Sequence, residues 1–383
     1  MKKNVILGIT GGIAAYKIPD LVRLLTKSET TVTTVLTDNA KHFVTKPVLA
    51  TLTAKEPLED NMVFEAAHAP HLSVVEDPSI MVIAPATANI IAKCAYGIAD
   101  NLLSTMFLAY VGPKLIVPAM HTEMWQNPIT QGNVEKLKKH GVHFLGPAAG
   151  NLACGDKGVG RMVDIELIKL KIESLLYPQL NLVGKKVLIT CGGTTEAIDN
   201  VRVITNRSTG KLGSRLAHMA AFMGAEVTIV STVSVLDNPH LKEVVYVESA
   251  SDMREVVNSK IKHNDCLYMA AAVSDFTCNK SGKKFKRSEN QTLELEATAD
   301  ILAEIGSKYS EKRLIGFCLE DHDLETKAKE KMKKKNLDYI VANTSNNIGK
   351  QTRSFTIYAQ KSDKQKFENI SLNDTVVKLL KLI

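Results

Sequence analysis

Apolar positions in this chain follow two alternating patterns. Short runs rich in branched residues, Val5–Ile9, Thr31–Leu36, Ile80–Ala84 and Lys114–Val117, read as buried strands. Between the first two, Ile18, Leu21, Val22 and Leu25 recur at i, i+3, i+4 and i+7, the spacing of one helix face. This is a βαβ opening, whose crossover is expected to be right-handed over a parallel sheet. Helical stretches near Ile90–Tyr96, Leu102–Tyr110 and Val134–His140 and a helix from about Ile165 to Tyr177 continue it. The glycine-rich segment Gly146 to Gly160 has little periodicity; it is expected to be too irregular for an element and to act as a mobile flap.

The alternation then restarts. Tyr177 to Gly184 combines a proline stop, polar residues and a fresh start signal, the marks of a domain boundary. Lys186–Thr190 opens a second strand–glycine–helix unit, with Leu212, Leu216, Met219, Ala220 and Met223 on one helical face. Glu226–Val230, Val244–Val247, Cys266–Ala270, Arg313–Phe317 and Asp338–Val341 supply further strands. The pattern predicts an α/β protein of two Rossmann-like, three-layer domains with mostly parallel sheets, 1–180 and 181–383.

Composition narrows the function classes. A hydrophobic fraction of 45% and a charged fraction of 23% are those of a globular protein. No apolar run approaches the roughly 20 residues that span a membrane, and Met1-Lys-Lys-Asn feeds straight into a strand, not a signal-peptide cleavage site. The six cysteines are scattered with no Cys-x-x-Cys pair, which argues against disulfide scaffolds and zinc sites and suits a reducing cytoplasm. The net charge of +7 fits an anionic small substrate or a nucleic acid. Two basic clusters, Lys280–Arg287 and Lys327–Lys335, sit inside α/β modules, aromatics are only 5% of the chain, and no RNA-binding signature accompanies them. Lysines converging on one triphosphate explain the same pattern.

Candidate chemistry gathers where strands end. The turn Gly8 to Ala14 lets backbone N–H groups approach a phosphate at a helix start, with Thr10 and Thr37 near enough to bond it. It lacks the full G-x-G-x-x-G spacing of a dinucleotide site. Ala84-Pro-Ala-Thr-Ala-Asn89 ends a strand at proline with residues small enough for a flat ring to lie on the backbone. Pro118–Trp125 ends another, and it carries His121, Glu123, two methionines and the chain's single tryptophan. In the second half, Thr190–Thr195 repeats the glycine turn, and Asn206–Gly213 leads into a helix whose start suits an anion.

Taken together, the glycine turn, Ala84–Asn89, Gly97–Leu102 and Pro118–Trp125 resemble the homo-oligomeric flavin-containing cysteine decarboxylases. Ala153–Met162 is similar to the substrate-recognition clamp of the phosphopantothenoylcysteine decarboxylases among them. The resemblance implies FMN, held by Thr10, Gly11, Gly12, Ile13, Ala14 and Thr37, by Ala84, Pro85, Ala86, Thr87 and Asn89, and by Asp100 and Asn101. It implies His71 and Cys154 as catalytic residues, Cys154 as proton donor. His121 stands where the commonest family pattern has asparagine. Either side chain donates to a carboxylate, but histidine also ionises near neutrality. The flavin is implied because a thiol offers a departing carboxylate no electron sink; transient oxidation at the CH₂–SH carbon supplies one.

The second half resembles the CTP-dependent bacterial phosphopantothenate–cysteine ligases through its Gly-Gly-Thr turn, Arg202 with Asn206–Gly213, Ala270–Phe276, Lys284–Lys286, Gly316-Phe317 and Lys335–Asp338. That resemblance implies CTP and substrate against Arg202, Met269, Asp275, Lys284, Phe317, Lys331 and Lys335, and against Ala299, Asp300, Ile301 and Leu302, where Ala299 replaces the family's proline. It implies Asp275 as a Mg²⁺ ligand and Asn206 in the second half-reaction. The order of the halves matches the bifunctional enzymes of coenzyme A biosynthesis. The expected partners are 4′-phosphopantothenate, L-cysteine and CTP, with no nucleic acid and no membrane. Trimers of the first domain, dimers of the second and a possible dodecamer are implied by the family. A flavin prenyltransferase or peptidyl-cysteine decarboxylase is the competing enzyme reading, and a flavin-binding regulator or nucleic-acid binder the non-enzymatic one.

Overall fold

The computed structural model describes residues 3–61, 79–153, 155–284, 292–344, 352–360 and 364–383. The chain divides into two compact units, Met1–Pro178 and Gln179–Ile383, and each has its own sheet.

The first unit runs β1 (Lys3–Ile9), α1 (Ile18–Thr26), β2 (Thr30–Leu36), α2 (Lys46–Thr53), β3 (Ile80–Ala86), α3 (Ala88–Tyr96), α4 (Leu102–Ala109), β4 (Lys114–Pro118), α5 (Thr122–Gln126), α6 (Pro128–Lys139), β5 (His143–Phe144), β6 (Ala148–Asn151), β7 (Lys157–Arg161) and α7 (Ile165–Leu175). Five strands form a parallel sheet in the order β2-β1-β3-β4-β5, with Val5 beside both Val32 and Ile80. All seven residues of β3 are buried. Helices covering both faces require this, and it is why the strands read as unbroken apolar runs. Ile90, Ile91, Leu103, Met106 and Phe107 of α3 and α4 pack with Ile6, Met81 and Ile83 in one core cluster. Gly8 admits this approach, since a Cβ there would lie 2.3 Å from Leu103.

The chain winds outward from β1 to β2, then returns to β3 on the other side of β1. That reversal opens a crevice between the carboxyl ends of β1 and β3, the place where open α/β sheets bind ligands.

The second unit runs β8 (Lys186–Cys191), β9 (Thr195–Ala197), β10 (Val203–Thr205), α8 (Lys211–Phe222), β11 (Glu226–Ser231), β12 (Glu243–Tyr246), α9 (Ala250–Lys260), β13 (Cys266–Met269), β14 (Phe276–Cys278), β15 (Leu295–Ala297), α10 (Ile301–Lys308), β16 (Arg313–Leu319), α11 (Leu324–Lys334), β17 (Tyr339–Asn343), β18 (Thr352–Ala359), β19 (Gln365–Ser371) and α12 (Leu372–Leu380). Its eight-stranded sheet has the order β12-β11-β8-β13-β16-β17-β18-β19. It is parallel through β17, and β18 and β19 are added antiparallel. The winding reverses between β8 and β13. Tyr268, fully buried on β13, donates to Leu379 O at 2.7 Å and ties α12 to the sheet.

Two expectations change. The Gly146–Gly160 segment, expected to be irregular, contains the antiparallel hairpin β6–β7. Its glycines serve close approach: a Cβ on Gly160 would lie 2.1 Å from Met120 O, and one on Gly158 would lie 2.2 Å from Thr122 Oγ1. The pair β18–β19 and the short hairpins β9–β10 and β14–β15 are additional. Their exposed polar residues, such as Gln365, Lys366 and Glu368 on the edge strand β19, break the apolar runs that mark buried strands.

Each crevice is crossed by a threonine. Thr10 Oγ1, just beyond β1 and 3% exposed, donates to Pro85 O at 2.7 Å and accepts from Thr87 N at 3.2 Å. Thr190 Oγ1, on β8, accepts from Ala271 N at 3.0 Å beyond β13. Thr10→Val keeps the shape but strands a buried carbonyl and an N–H. It should lower stability by about 1–3 kcal/mol in urea denaturation, and an unchanged midpoint would contradict the bridging role.

Candidate functional site

In the first unit, β1 runs into Gly11 and Gly12, and the helical segment after them starts with a 3₁₀ turn, Ile13–Lys17, that continues into α1. Gly11 is required by packing, since a Cβ there would lie 2.3 Å from Asn39 Cβ. At Gly12 the nearest atom to such a Cβ is Thr87 Cγ2 at 3.8 Å, so the turn is open on that side. Gly12 caps the helical segment without any side chain, and first-turn N–H groups lack helical acceptors. Ile13 and Tyr16 stand 56% and 60% exposed beside it.

Thr87 ends β3's loop and caps α3, its hydroxyl accepting from Ile90 N at 3.4 Å. Ala84 and Ala86 are buried and Asn89 is exposed. The hydroxyls of Thr10 and Thr37 donate to backbone carbonyls, Pro85 O and Ile9 O. Asp100 pairs with Lys93 at 2.8 Å, which holds its carboxyl below the usual range. Asn101 caps α4 in a capping box with Ser104, and the Asp60 carboxylate accepts from Leu102 N at 2.6 Å at the same helix start. His71 and Cys154 lie outside the described residues.

The Pro118–Trp125 segment leaves β4 and turns at once into α5. Met120 N donates to Gly160 O at 3.0 Å, so this segment and the β6–β7 hairpin lie backbone to backbone. Met120 and Trp125 are half-buried against the α3/α4 core, so the indole is partly committed to packing. His121 is the polar joint: Nε2 lies 3.1 Å from Asp156 Oδ2 in the hairpin turn, and Nδ1 meets Glu123. The hydrogen bond to Asp156, reinforced by the nearby Glu123 charge, raises the His121 pKa above 6.5. Sequence reading placed His121 against a substrate carboxylate; here its partners are two carboxylates of the chain. Asp156 and Glu123 are the functional neighbours it did not assign, although both lie in segments it singled out.

In the second unit the carboxyl ends of β8 and β13 are knitted together. Thr194 Oγ1 accepts from Ser274 N at 2.8 Å, and Ala272 N donates to Gly192 O at 2.8 Å. Asn206 Nδ2 donates to Ala272 O and Val273 O at 3.3 and 3.1 Å. Met269 is buried, Phe317 half-buried, and Asp275 and Lys284 exposed. Ile301 and Leu302 are core residues of α10, while Ala299 and Asp300 are exposed before it. Asp300 caps α10 and accepts from Lys335 at 3.0 Å. Glu320, just past β16, bridges Lys331 at 2.7 Å and Lys327 at 2.9 Å, which depresses its own pKa. Arg202 pairs with buried Asp199 at 2.8 Å. Of these acidic partners Asp300 was among the residues the resemblance implied, while Glu320 and Asp199 went unassigned in the sequence because a lone carboxylate carries no spacing signal. Among the described residues no group of three or more His, Cys, Asp or Glu side chains is arranged to hold a metal ion, and no helix is long and apolar enough to cross a membrane.

Residues 1–176 match the family model described as Flavoprotein, and residues 182–383 match that of the DNA/pantothenate metabolism flavoprotein C-terminal domain. The chain is 38% identical over 391 residues to the coenzyme A biosynthesis bifunctional protein CoaBC of Bacillus subtilis, covering 100% of this chain and 96% of that one. It belongs to the coenzyme A biosynthesis bifunctional protein family. The family member of Vibrio cholerae is 38% identical over 348 residues, covering 89% of this chain and 87% of its own. A crystal structure of the C-terminal domain of a CoaBC protein aligns with 34% identity and a TM-score of 0.44, covering 52% of this chain and 95% of that one. This family member is accordingly a bifunctional enzyme of coenzyme A biosynthesis.

The carboxylates around His121 make a prediction. With its pKa raised, the imidazolium pairing is complete below 6.5 and fades as pH rises through the raised value. Asp156→Asn should bring the His121 titration, followed by NMR, down towards 6.5. An unmoved titration would show that Asp156 does not govern it.

Proposed function

We propose that this enzyme makes 4′-phosphopantetheine in two steps: CTP-dependent ligation of L-cysteine to 4′-phosphopantothenate in the second unit, then FMN-dependent decarboxylation in the first. What carries the proposal is the position of the two glycine turns, Thr10–Gly12 and Thr190–Gly193, each at the carboxyl end of the strand beside a winding reversal. Two such crevices in one chain suit two chemistries.

The first unit's residues fit a flavin phosphate. The turn is open above Gly12, and the helix start beyond it is capped by no side chain. Backbone groups of Gly11, Gly12, Ile13 and Ala14 would hold the phosphate. Thr10 and Thr37 would shape the turn, since their hydroxyls already serve carbonyls. Ala84–Thr87 and Asn89 would border the ring, with Asp100 and Asn101 at the start of α4. FMN, when bound, supplies the reversible redox chemistry that gives the cysteinyl carboxylate's electrons somewhere to go. His121 orients that carboxylate, exchanging an internal carboxylate for the substrate's, while His71 acts as base and Cys154 returns a proton to product.

In the ligase unit, attack of the 4′-phosphopantothenate carboxylate on the α-phosphate gives an acyl-cytidylate and pyrophosphate, and the cysteine amine then displaces CMP. Met269, Phe317 and residues Ala299 to Leu302 would border the nucleotide. Lys284, Lys331 and Lys335 would neutralise the phosphates, the last two by leaving Glu320 and Asp300. Asp275 suits Mg²⁺ as the single protein carboxylate on a metal–nucleotide complex, the mode in which magnesium keeps substrate phosphates and water as its other ligands. Asn206 has its amide nitrogen engaged with Ala272 and Val273, so its oxygen is the atom that accepts from the incoming amine. Arg202 meets the anionic substrate. Exposed apolar side chains of the first unit, among them Val111 and Ile129, support self-association into the family's trimers, with dimers of the second unit.

Purified protein should be yellow. It should release pyrophosphate only with 4′-phosphopantothenate and CTP together, and carbon dioxide once cysteine is added. Colourless protein that still decarboxylates, or CTP-independent ligation, would overturn the corresponding half. Cys154→Ser should lose carbon dioxide from substrate without forming 4′-phosphopantetheine; full turnover would contradict its role.

A further inference from the structure

The turn between β9 and β10 is built around one carboxylate. Asp199 is 2% exposed, and its side chain accepts from three N–H groups: Val201 N and Arg202 N at 2.7 Å each through Oδ1, and Arg202 Nη1 at 2.8 Å through Oδ2. The return path is closed as well, because Ile198 N and Asp199 N donate to Arg202 O at 2.9 and 3.3 Å. Arg202 is therefore gripped at its amide, its carbonyl and its guanidinium by a single turn. Its side chain is 43% exposed while that of Asp199 is 0%. The buried carboxylate faces inward and the guanidinium reaches the surface.

We propose that Asp199 is a positioning residue for the ligase substrate: its carboxylate orients the Arg202 guanidinium for the anionic group of 4′-phosphopantothenate. This rests on the reading of Arg202 as a substrate ligand. A flexible arginine loses side-chain entropy on binding an anion, and a guanidinium already fixed in plane has lost it beforehand. The planar fork matches a carboxylate or phosphate only when its orientation is right, so the anchor acts on affinity and not on the chemical step. A carboxylate is needed because an amide would turn its NH₂ towards the guanidinium, donor against donor, while its oxygen still served the two backbone N–H groups.

The turn also holds the start of the basic segment. Ser281 N donates to Ile198 O at 2.9 Å, and Asn200 Nδ2 donates to Gly282 O at 3.1 Å. Removing the whole side chain would disturb Lys283 and Lys284 too. Asp199→Asn keeps the backbone acceptor and removes the charged pairing with Arg202, which makes it the informative variant.

The test measures KM for 4′-phosphopantothenate and for CTP, by pyrophosphate release, in the full chain and in Asp199→Asn, Arg202→Ala and the double variant. Asp199→Asn should raise KM for 4′-phosphopantothenate about tenfold, the scale of one charge-assisted hydrogen bond, with KM for CTP moved much less. The double variant should be no worse than Arg202→Ala, because Asp199 acts through that residue. If Arg202→Ala leaves KM for 4′-phosphopantothenate unchanged, the ligand reading fails and the inference with it. If Arg202→Ala raises it but Asp199→Asn does not, the ligand reading stands and the positioning role is overturned. Equal losses for both substrates, or a double variant worse than Arg202→Ala, would also overturn it, since a purely structural role moves both.

Discussion

A parallel sheet that reverses its winding leaves two neighbouring strands whose chains depart in opposite directions, and the crevice between their ends must be held at a fixed width. In both units of this chain a threonine hydroxyl spans that crevice. Thr10 reaches from the end of β1 to both sides of the Pro85–Thr87 loop, and Thr190 reaches from β8 to Ala271. Neither bridge replaces a sheet hydrogen bond, since each lies at or beyond the last paired residues of its strands. The glycine turns proposed to hold the two ligands, Gly11–Gly12 and Gly192–Gly193, lie beside these bridges. Beside the first bridge Gly11 is fixed by packing against Asn39, and Gly12 leaves the turn open, a Cβ there meeting nothing nearer than Thr87 Cγ2 at 3.8 Å.

The fold class was legible because buried parallel strands have an unmistakable pattern. Ile80–Ala86 is apolar at every position because helices cover both faces. Strands whose outer face meets water carry mixed residues, and β18 and β19 went unread for that reason. The glycine-rich segment was misread for a different one. Glycine there looked like freedom, yet Gly158 and Gly160 are needed because β7 passes within contact of the Met120–Thr122 backbone and side chains. Glycine content alone does not distinguish a loose loop from a close crossing.

The sites were legible in part. Sequence placed Gly11–Ala14 and Ala84–Thr87 in separate motifs, and the structure brings them to one sheet edge. Their ionic partners were not legible, because a partner's identity depends on which strands adjoin. Lys331 and Lys335 are held by Glu320 and Asp300, residues far from them in sequence, and His121 is shared between Glu123 and Asp156. A common logic follows. Lys331, Lys335 and His121 are kept neutralised by the chain's own carboxylates, so binding at these residues becomes an exchange of partners. Such exchange avoids leaving bare positive charge in a closing site and limits the gain from binding to the difference between two ion pairs.

We place the two ligands in the two bridged crevices, one in each unit. Amide hydrogen exchange on the flavin-free protein, with FMN or CTP·Mg²⁺ added separately, tests this placement without reference to turnover. FMN should protect residues 9–14 and 84–90 and leave 190–194 and 269–275 unchanged, and CTP should do the reverse. Protection by either ligand confined to residues away from these strand ends, or the same protection by both, would contradict it.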